Sequence, residues 1–271
     1  MSVEDVIAID VGGDTLKAGR VNQEAPAFVI PNCTATLKFT QKFVADQIDR
    51  VPNQKGFNYK RSVERGYLVH TATQAEILNR LFEPKNAGGL GICDDVPHRF
   101  VAMTEPPVGI PALQSELDEM MFETMQVDNF FRAPAVLFAA LADSLGPAAA
   151  GSSATPQPEV RMVVDSGYSF SHAVPVITPN PGASDQGSER GPTFGNTLPK
   201  AIGKAIRRVD IGGKLLTNCL KDFISYRKFD MSEELALIEG MDACRTHARN
   251  MFFCFCFLFL STINAAQPSS N

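Results

Sequence analysis

The sequence predicts an α/β protein in which one strand–turn–strand unit occurs twice, each copy at the head of its own domain. Two segments share this layout: VIAIDVGGDTLKAGRV, from Val6 to Val21, and VRMVVDSGYSFSHAVPVI, from Val160 to Ile177. Asp10 and Asp165 hold the same place in the two segments, 155 positions apart (165 minus 10). Helical patterns follow each copy. A period this long indicates domain duplication rather than a solenoid of short repeats, and it predicts a cleft between the copies.

Local patterns predict the elements of the first domain. The runs VIAIDV, TLKAGRV and PAFVIPN, bounded by Gly, Pro or Asn, predict strands. Apolar residues then recur at helical spacing after Thr71 or Thr73, until Pro84 ends that helix. HRFVAMTEPPVGI predicts a buried strand. Pro111 starts the next helix, with a capping pattern from Ser115 to Asp118 as an alternative start.

Composition marks the passage to the second domain. APAVLFAALADSLG is almost entirely apolar, which predicts a buried helix. The small-residue and proline loop after it places the boundary near residue 155, so the predicted domains are 1–155 and 156–250. A second low-complexity stretch, 178–194, predicts a disordered insertion. A Gly-Gly turn and a helix from about Lys214 to Tyr226 follow it.

The two ends of the chain differ in character. The acidic first residues lead straight into a strand, which predicts no secretory signal. Residues 251–271 begin with MFFCFCFLFL, a run shorter than the roughly 20 apolar residues of a spanning helix. The run also lacks the flanking Trp and Tyr of a membrane anchor. We interpret 251–271 as a non-homologous apolar tail and predict no membrane association.

Charge and cysteine usage exclude several classes of protein. The formal net charge of −5 gives no basic footprint, so we expect no direct sequence-specific nucleic-acid binding and any role near DNA to run through partners. The six cysteines include no C-x-x-C pair and no Cys/His spacing suited to zinc, which favours a reduced intracellular compartment.

The two turns have the features of phosphate-binding loops. A Gly-containing turn exposes consecutive backbone N–H groups that can cradle phosphate oxygens, and a preceding Asp can hold the water shell of a divalent metal. Two such turns facing each other would grip a nucleoside triphosphate. The alternatives remain open at this point: each unit is also an ordinary hairpin signal, and the residues alone favour a core histidine satisfied by a neighbour at His172.

Several segments together resemble the actin family. AIDVGGDTLKAGR, AMTEPPV followed by MFET, VVDSGYSFSHAVPVI and AIRRVDIGGKLLTN occur in the order and spacing of that family. Within it, VIPNC, ERGYLV and RRVDIGGKLLTN most resemble the sixth, nuclear subfamily of actin-related proteins. The resemblance runs from about Val6 to Asn250. It implies an actin-like fold of duplicated RNase H-like domains flanking a nucleotide cleft, with the second domain incomplete.

The resemblance also implies the residues of the cleft. Asp10 and Asp165 match the aspartates that hold a metal ion through water, Lys17 matches a phosphate-contacting lysine, and His172 matches a histidine near the attacking water. The full set of implied cofactor-binding positions is Asp10, Gly12, Gly13, Asp14, Thr15 and Lys17 on the first turn, and Asp165, Gly167, Tyr168, Ser169 and His172 on the second.

Departures from the family pattern weaken this implied site. The family has serine and glycine where this chain has Gly13 and Asp14, which brings a carboxylate near the phosphates. It has aspartate and glycine in place of Tyr168 and Ser169. The implied cofactor is therefore ATP with a divalent metal, bound weakly or not at all.

The expected function follows from one further departure. The family's water-positioning glutamine falls at Pro134 or Ala135, neither of which can hydrogen-bond water, so we expect no enzymatic activity. The resemblance implies a structural subunit of a Swr-type chromatin remodelling complex that deposits the Z-type histone variant. Its implied partners are a zinc-finger HIT-type subunit and, indirectly, histones, in the nucleus and also the cytoplasm. The alternative is an ATP-binding or ATP-hydrolysing actin-like protein of cytoskeletal or phosphotransferase type.

Overall fold

The computed structural model describes residues 6–21, 23, 25–37, 40–94, 99–144, 159–178 and 199–226. They form an α/β structure in which the predicted strand–turn–strand unit occurs twice, as the sequence predicts. The strands are β1 Val6–Val11, β2 Thr15–Arg20, β3 Phe28–Pro31, β4 Cys33–Leu37, β5 Gln41–Val44, β6 Phe57–Arg61, β7 Val63–Glu64, β8 Tyr67–Leu68, β9 Phe100–Glu105, β10 Asn129–Pro134, β11 Glu159–Ser166, β12 Ser171–Thr178, β13 Lys200–Ala201 and β14 Arg207–Val209. The helices are α1 Asp46–Asp49, α2 Thr71–Phe82, α3 Pro111–Glu119, α4 Ala135–Ser144 and α5 Gly213–Ser225.

A five-stranded sheet in the order β10-β9-β1-β2-β3 organises the first unit. β1 is antiparallel to β2 and parallel to β9, and β9 is parallel to β10. Alternate residues of these strands, among them Ile7, Ile9, Val101 and Met103, are buried in the largest hydrophobic cluster. Ala8 and Asp10 lie on the other face of β1, and Asp10 is next to the end of the strand, close to the turn that follows.

Helices α2 and α3 close the buried side of this sheet and begin where the sequence predicts. α2 places Ile77, Leu78 and Leu81 in the core. α3 has Pro111 in its first turn, and its chain continues as a π-helical turn, Met120–Thr124. The start at Pro111 decides between the two alternatives that the sequence left open.

Two smaller β structures flank the five-stranded sheet. β4 pairs with β5 and β6 around a separate small core that includes Cys33, Ala35 and Ile48. β7 and β8 form a short hairpin whose two turn residues, Arg65 and Gly66, both have positive φ, as a type I′ turn requires.

The second unit is a sheet in the order β11-β12-β13, with β14 also pairing with β12. Helix α4 packs on it through Val136 and Ala140, which contact the cluster of Val174 and Val176. The predicted burial of this helix holds for Val136 and Ala140 but not for Phe138, which is 40% exposed. Only one face of α4 meets the sheet, and composition alone cannot tell an all-round buried helix from one with a single covered face.

Several sequence predictions fall outside the described residues. The boundary near residue 155, the stretch 179–194 and the tail 251–271 are among them. Thr178 itself is the last residue of β12 and is buried, so the predicted insertion does not include it. In the described ranges, no helix is long and apolar enough to cross a membrane.

Candidate functional site

The first turn joins β1 to β2 and carries six of the predicted site residues. Asp10 lies directly opposite Lys17 in the strand register. The turn closes with the Gly12 N–H donating to the Thr15 carbonyl at 3.1 Å. Gly12 and Thr15 thus shape the turn through their backbones.

The second turn, between β11 and β12, repeats this geometry. Asp165 lies opposite His172, and the Gly167 N–H donates to the Phe170 carbonyl at 3.0 Å. Each of these four residues stands 155 positions after its counterpart in the first turn (165 minus 10, 167 minus 12, 170 minus 15, 172 minus 17). The duplication inferred from the sequence therefore extends to individual hydrogen bonds and register pairs.

Charged groups of the two turns lie close to one another. Asp10 accepts hydrogen bonds from Lys17 Nζ at 2.9 Å and from Thr104 Oγ1 at 2.8 Å. Burial, followed by the nearby negative charge of Asp10, raises the pKa of Asp165 above its ordinary value, while Lys17 acts in the opposite direction. The side chains of Asp10, Lys17 and Asp165 are therefore close enough for their charges to interact.

The negative charge of the Asp14 carboxylate is paired with a positively charged side chain. Its Oδ1 accepts from Arg61 Nη1 at 2.8 Å, and the same nitrogen lies 3.3 Å from the Gly13 carbonyl. The Arg61 side chain is only 15% exposed, so this ion pair is partly shielded from water. The repulsion of phosphate expected from Asp14 is therefore offset by a cation that sequence reasoning missed.

The tips of the two turns are in contact. The guanidinium of Arg61 lies over the Tyr168 ring, 4.6 Å from its centroid. A Cβ built on Gly13 would lie 2.6 Å from Ser169 Oγ, so the hydroxyl fills space that any larger residue at position 13 would need. The family has the opposite arrangement, with serine in the first turn and glycine in the second, and the two departures found in the sequence thus compensate each other sterically.

Backbone donors remain available beside this contact. Within the described residues, the N–H groups of Gly13, Asp14 and Ser169 have no acceptor. Consecutive free N–H groups in a turn form an anion-binding concavity. Gly13 and Asp14 give the first turn two consecutive free N–H groups of this kind, next to the contact between the tips.

Asn32 holds the first turn through two hydrogen bonds to its backbone carbonyls. Its N–H donates to the Asp14 carbonyl and its Nδ2 donates to the Gly12 carbonyl, both at 2.7 Å. The side chain is fully buried. This residue belongs to the VIPNC segment that carries part of the resemblance, so the structure gives that segment a role in holding the turn.

Helix α5 supports the second turn in the same way. The N–H groups of Gly213 and Lys214, at its first turn, donate to the carbonyls of Gly167 and Tyr168 at 3.1 and 2.9 Å. Gly212 lies so close that a Cβ there would collide with the Tyr168 carbonyl oxygen. The DIGGK segment is therefore more than a turn and helix start, because its N–H groups hold the second turn in place.

His172 lies inside the second unit and not at its surface. It is 1% exposed, and its ring packs edge-on against Phe170 with the centroids 4.2 Å apart. Neither ring nitrogen has a hydrogen-bond partner among the described residues. Burial, followed by the positive charge of Arg208, lowers the pKa of His172, so the ring is neutral at pH 7.

The structure thus sorts the predicted site residues into four groups. The first group is the interacting charges of Asp10, Lys17 and Asp165. The second group lies at the tips of the turns and consists of Gly13, Asp14, Tyr168 and Ser169. The third group shapes the turns through its backbone and consists of Gly12, Thr15 and Gly167, and the fourth is the buried His172. Sequence reasoning missed Arg61, Asn32 and Thr104, whose partners are far away in the chain. Among the described residues, no group of three or more His, Cys, Asp or Glu is placed to hold a metal ion directly.

Comparison with known proteins identifies relatives of this chain. A family model described as Actin matches residues 2–181. The chain is 30% identical over 246 residues to Actin-related protein 6 of Drosophila melanogaster, an alignment that covers 88% of this chain and 54% of the relative. It is 29% identical over 239 residues to Actin-related protein 6 of Neurospora crassa, with coverages of 87% and 48%. Identity to Actin-related protein 6 of Oryza sativa subsp. indica is 31% over 242 residues, with coverages of 86% and 48%. The chain spans about half the length of these relatives.

Proposed function

Because this chain belongs to the actin family, we propose that it acts as a non-catalytic structural subunit of a Swr-type chromatin remodelling complex, which deposits the Z-type histone variant. Its similarity to relatives named Actin-related protein 6 supports membership in that subfamily. The proposed partners are other subunits of the complex, including a zinc-finger HIT-type subunit, with histones contacted indirectly. The proposed location is the nucleus, with some protein in the cytoplasm.

The observation that supports a non-catalytic role most strongly is the chemistry around the turns. Hydrolysis requires a residue that orients the attacking water. Pro134 ends β10 and Ala135 begins α4, and neither side chain has a hydrogen-bonding atom. His172, the other candidate to handle a proton, has its ring buried against Phe170.

We propose that ATP with a divalent metal binds weakly or not at all. If it binds, the metal neutralises phosphate charge, Asp10 and Asp165 hold the metal's water shell, and Lys17 contacts a phosphate. The free N–H groups of Gly13 and Ser169 suit an anion, while the contact between the turn tips leaves little space there.

The test of the structural role uses the endogenous full-length protein. We would tag its chromosomal gene, purify the protein from nuclear extract at moderate salt and identify the copurifying proteins by mass spectrometry. Near-stoichiometric recovery of a Swr-type ATPase and a zinc-finger HIT-type subunit is the expected result, with an equally tagged, unrelated nuclear protein as control. Recovery with cytoskeletal proteins alone would overturn the proposal.

The alternative, an ATP-hydrolysing actin-like protein, is favoured by the facing group of Asp10, Lys17 and Asp165. An ATPase assay of the purified full-length protein distinguishes it from the structural role. We expect no turnover above background at millimolar ATP. Turnover that is lost in the Asp165→Ala variant would support the enzyme, whereas turnover that survives this change would come from a contaminant or from another site.

A further inference from the structure

We propose that the second turn is fastened to the first unit by the chain's own side chains, so that the two turns stay in contact without a ligand between them. We call this contact the turn seam. It consists of the second-turn residues Tyr168, Ser169 and Phe170 together with the residues that hold them, Gly13, Arg61, Gly66 and Arg208.

The first contact of the turn seam is Tyr168 on Arg61. A guanidinium over an aromatic face is attracted by the negative face of the ring, more strongly where water is excluded. Arg61 is held in place on its other side by the Asp14 carboxylate at 2.8 Å. The planar guanidinium is therefore pre-oriented by the first turn before it meets the Tyr168 ring at 4.6 Å.

The second contact is Phe170 on the hairpin between β7 and β8. Gly66 has φ of 80° and lies directly under the Phe170 ring, where a Cβ would collide with the ring atoms. Glycine adopts the positive φ of this type I′ turn without strain, and the Phe170 ring leaves no room for a Cβ. Phe170 of the second unit therefore packs on the backbone of the ERGY segment of the first unit.

The third contact comes from the second unit's Arg208 on β14. Its guanidinium lies over the Phe170 ring at 4.6 Å and over the Tyr67 ring of the first unit at 5.5 Å. It also donates to the Arg65 carbonyl at 2.9 Å. Arg208 thereby closes the Phe170 contact and bonds the second unit to the first unit's hairpin.

These contacts make a ligand unnecessary for keeping the turns together. Three consecutive second-turn residues each meet a different part of the first unit: Arg61, Gly13 and Gly66. Where the protein itself bridges the two turns, a bound nucleotide changes their spacing little. This inference concerns the turns alone and does not depend on which complex the protein joins.

A cross-link between the turns tests the inference directly. A Cβ built on Gly13 lies 3.8 Å from Ser169 Cβ, which is the usual Cβ separation in a disulfide. The full-length chain with Gly13→Cys and Ser169→Cys should form this disulfide rapidly under mild oxidation without nucleotide, with its position mapped by peptide mass spectrometry. The matched control pairs Gly13→Cys with Gly203→Cys, because a Cβ at Gly203 has no heavy atom within 4 Å.

Two further arms separate the turn seam from chance proximity. Addition of Mg·ATP should leave the cross-linking rate unchanged within a factor of two. Tyr168→Leu or Arg208→Met, each introduced into the double-cysteine chain, should slow cross-linking at least about fivefold. Tyr168→Leu removes one cation–aromatic contact, and Arg208→Met removes two of them together with the hydrogen bond to the Arg65 carbonyl. The inference fails if the Gly13–Ser169 pair reacts no faster than the control pair, if reaction requires Mg·ATP, or if neither substitution slows it.

Discussion

The two aspartates beside the turns, Asp10 and Asp165, occupy equivalent positions in unequal surroundings. Asp10 lies opposite Lys17, with which it forms an ion pair, whereas Asp165 lies opposite His172, which is buried and neutral. The same register position thus supplies a cation in one turn and none in the other. Burial is the main reason why the pKa of Asp165 rises, and the nearby negative charge of Asp10 adds to it, while Lys17 acts in the opposite direction.

We expect the Asp165→Asn variant to be more stable than the parent protein at neutral pH. The pKa of Asp165 in the folded state lies above its ordinary value of 3.8, so its charge is a penalty at neutral pH that disappears as pH falls below the folded-state pKa. Urea unfolding at pH 7.5 should show a gain of up to about 1 kcal/mol, the range for partly exposed charge interactions, and the gain should shrink toward pH 4.

Asp10→Asn is the matched comparison for that experiment. It removes the same repulsion but also removes the Lys17 ion pair, so its gain should be smaller or absent. A loss of stability in Asp165→Asn at pH 7.5 would contradict the account, because it would mean that the Asp165 charge has a favourable partner in the protein.

His172 should make the folded protein sensitive to mild acid. Its pKa is lowered by folding, so its contribution to stability is complete above the ordinary pKa of 6.5 and is lost as pH falls below that value toward the folded-state pKa. His172→Leu should flatten the fall in unfolding free energy between pH 7.5 and 5.5. At pH 7.5 the variant should be at least as stable as the parent, because an unpaired buried polar group costs about 1–3 kcal/mol.

The control for the histidine experiment is His70→Gln. His70 is an exposed residue beside Glu64, at 2.9 Å, so its replacement should leave the acid-induced loss of stability in place. An unchanged slope in His172→Leu would show that another group controls the response to acid.

At the scale of elements, each turn is held by hydrogen bonds from a segment outside its own hairpin. Asn32 holds the carbonyls of the first turn, and the first N–H groups of α5 hold those of the second. In both cases a donor that an isolated hairpin would lack satisfies a turn carbonyl. The turns are therefore positioned by the surrounding fold and not by their own sequences alone.

Gly212→Ala should release the second turn. Its new Cβ would press on the Tyr168 carbonyl and lie 2.7 Å from the Phe170 nitrogen, both of which are backbone atoms that cannot move aside cheaply. Overpacking of this kind costs about 1–3 kcal/mol, and thermal unfolding should show the loss. Gly203→Ala, whose Cβ meets nothing within 4 Å, should unfold like the parent, and equal stability of the two variants would refute the close packing.

Local patterns in the sequence account for part of this arrangement. β1, β2, α2 and α5 were predictable because their apolar spacing and their Gly or Pro boundaries are strong and short-range. The resemblance identified the aspartates and Lys17. Arg61 was not predictable, because nothing near it indicates a partner 107 positions later at Tyr168 (168 minus 61), and such contacts arise only from the folded arrangement.

At the scale of the whole molecule, the duplicated units differ in how their sheets are covered. β1 lies between β9 and β2, whereas its counterpart β11 has only β12 as a neighbour within the described residues. The β11 residues that point away from α4 are exposed, with Val160 at 63% and Met162 at 48%. Among the described residues, β11 thus combines an edge that has no partner strand with exposed apolar side chains on one face, and both features favour association through strand addition.

We therefore expect this chain, produced alone, to self-associate through the β11 edge. The double substitution Val160→Lys and Met162→Lys places charge on that exposed face, which opposes strand addition without disturbing the side that packs on α4. Sedimentation velocity over a concentration series should show association in the parent chain and at least a severalfold weaker tendency in the variant. Val108→Lys, at an exposed valine in a loop, is the control and should associate like the parent. If the β11 variant associates as strongly as the parent, the apolar contact lies elsewhere on the molecule, and the open edge is already protected in solution.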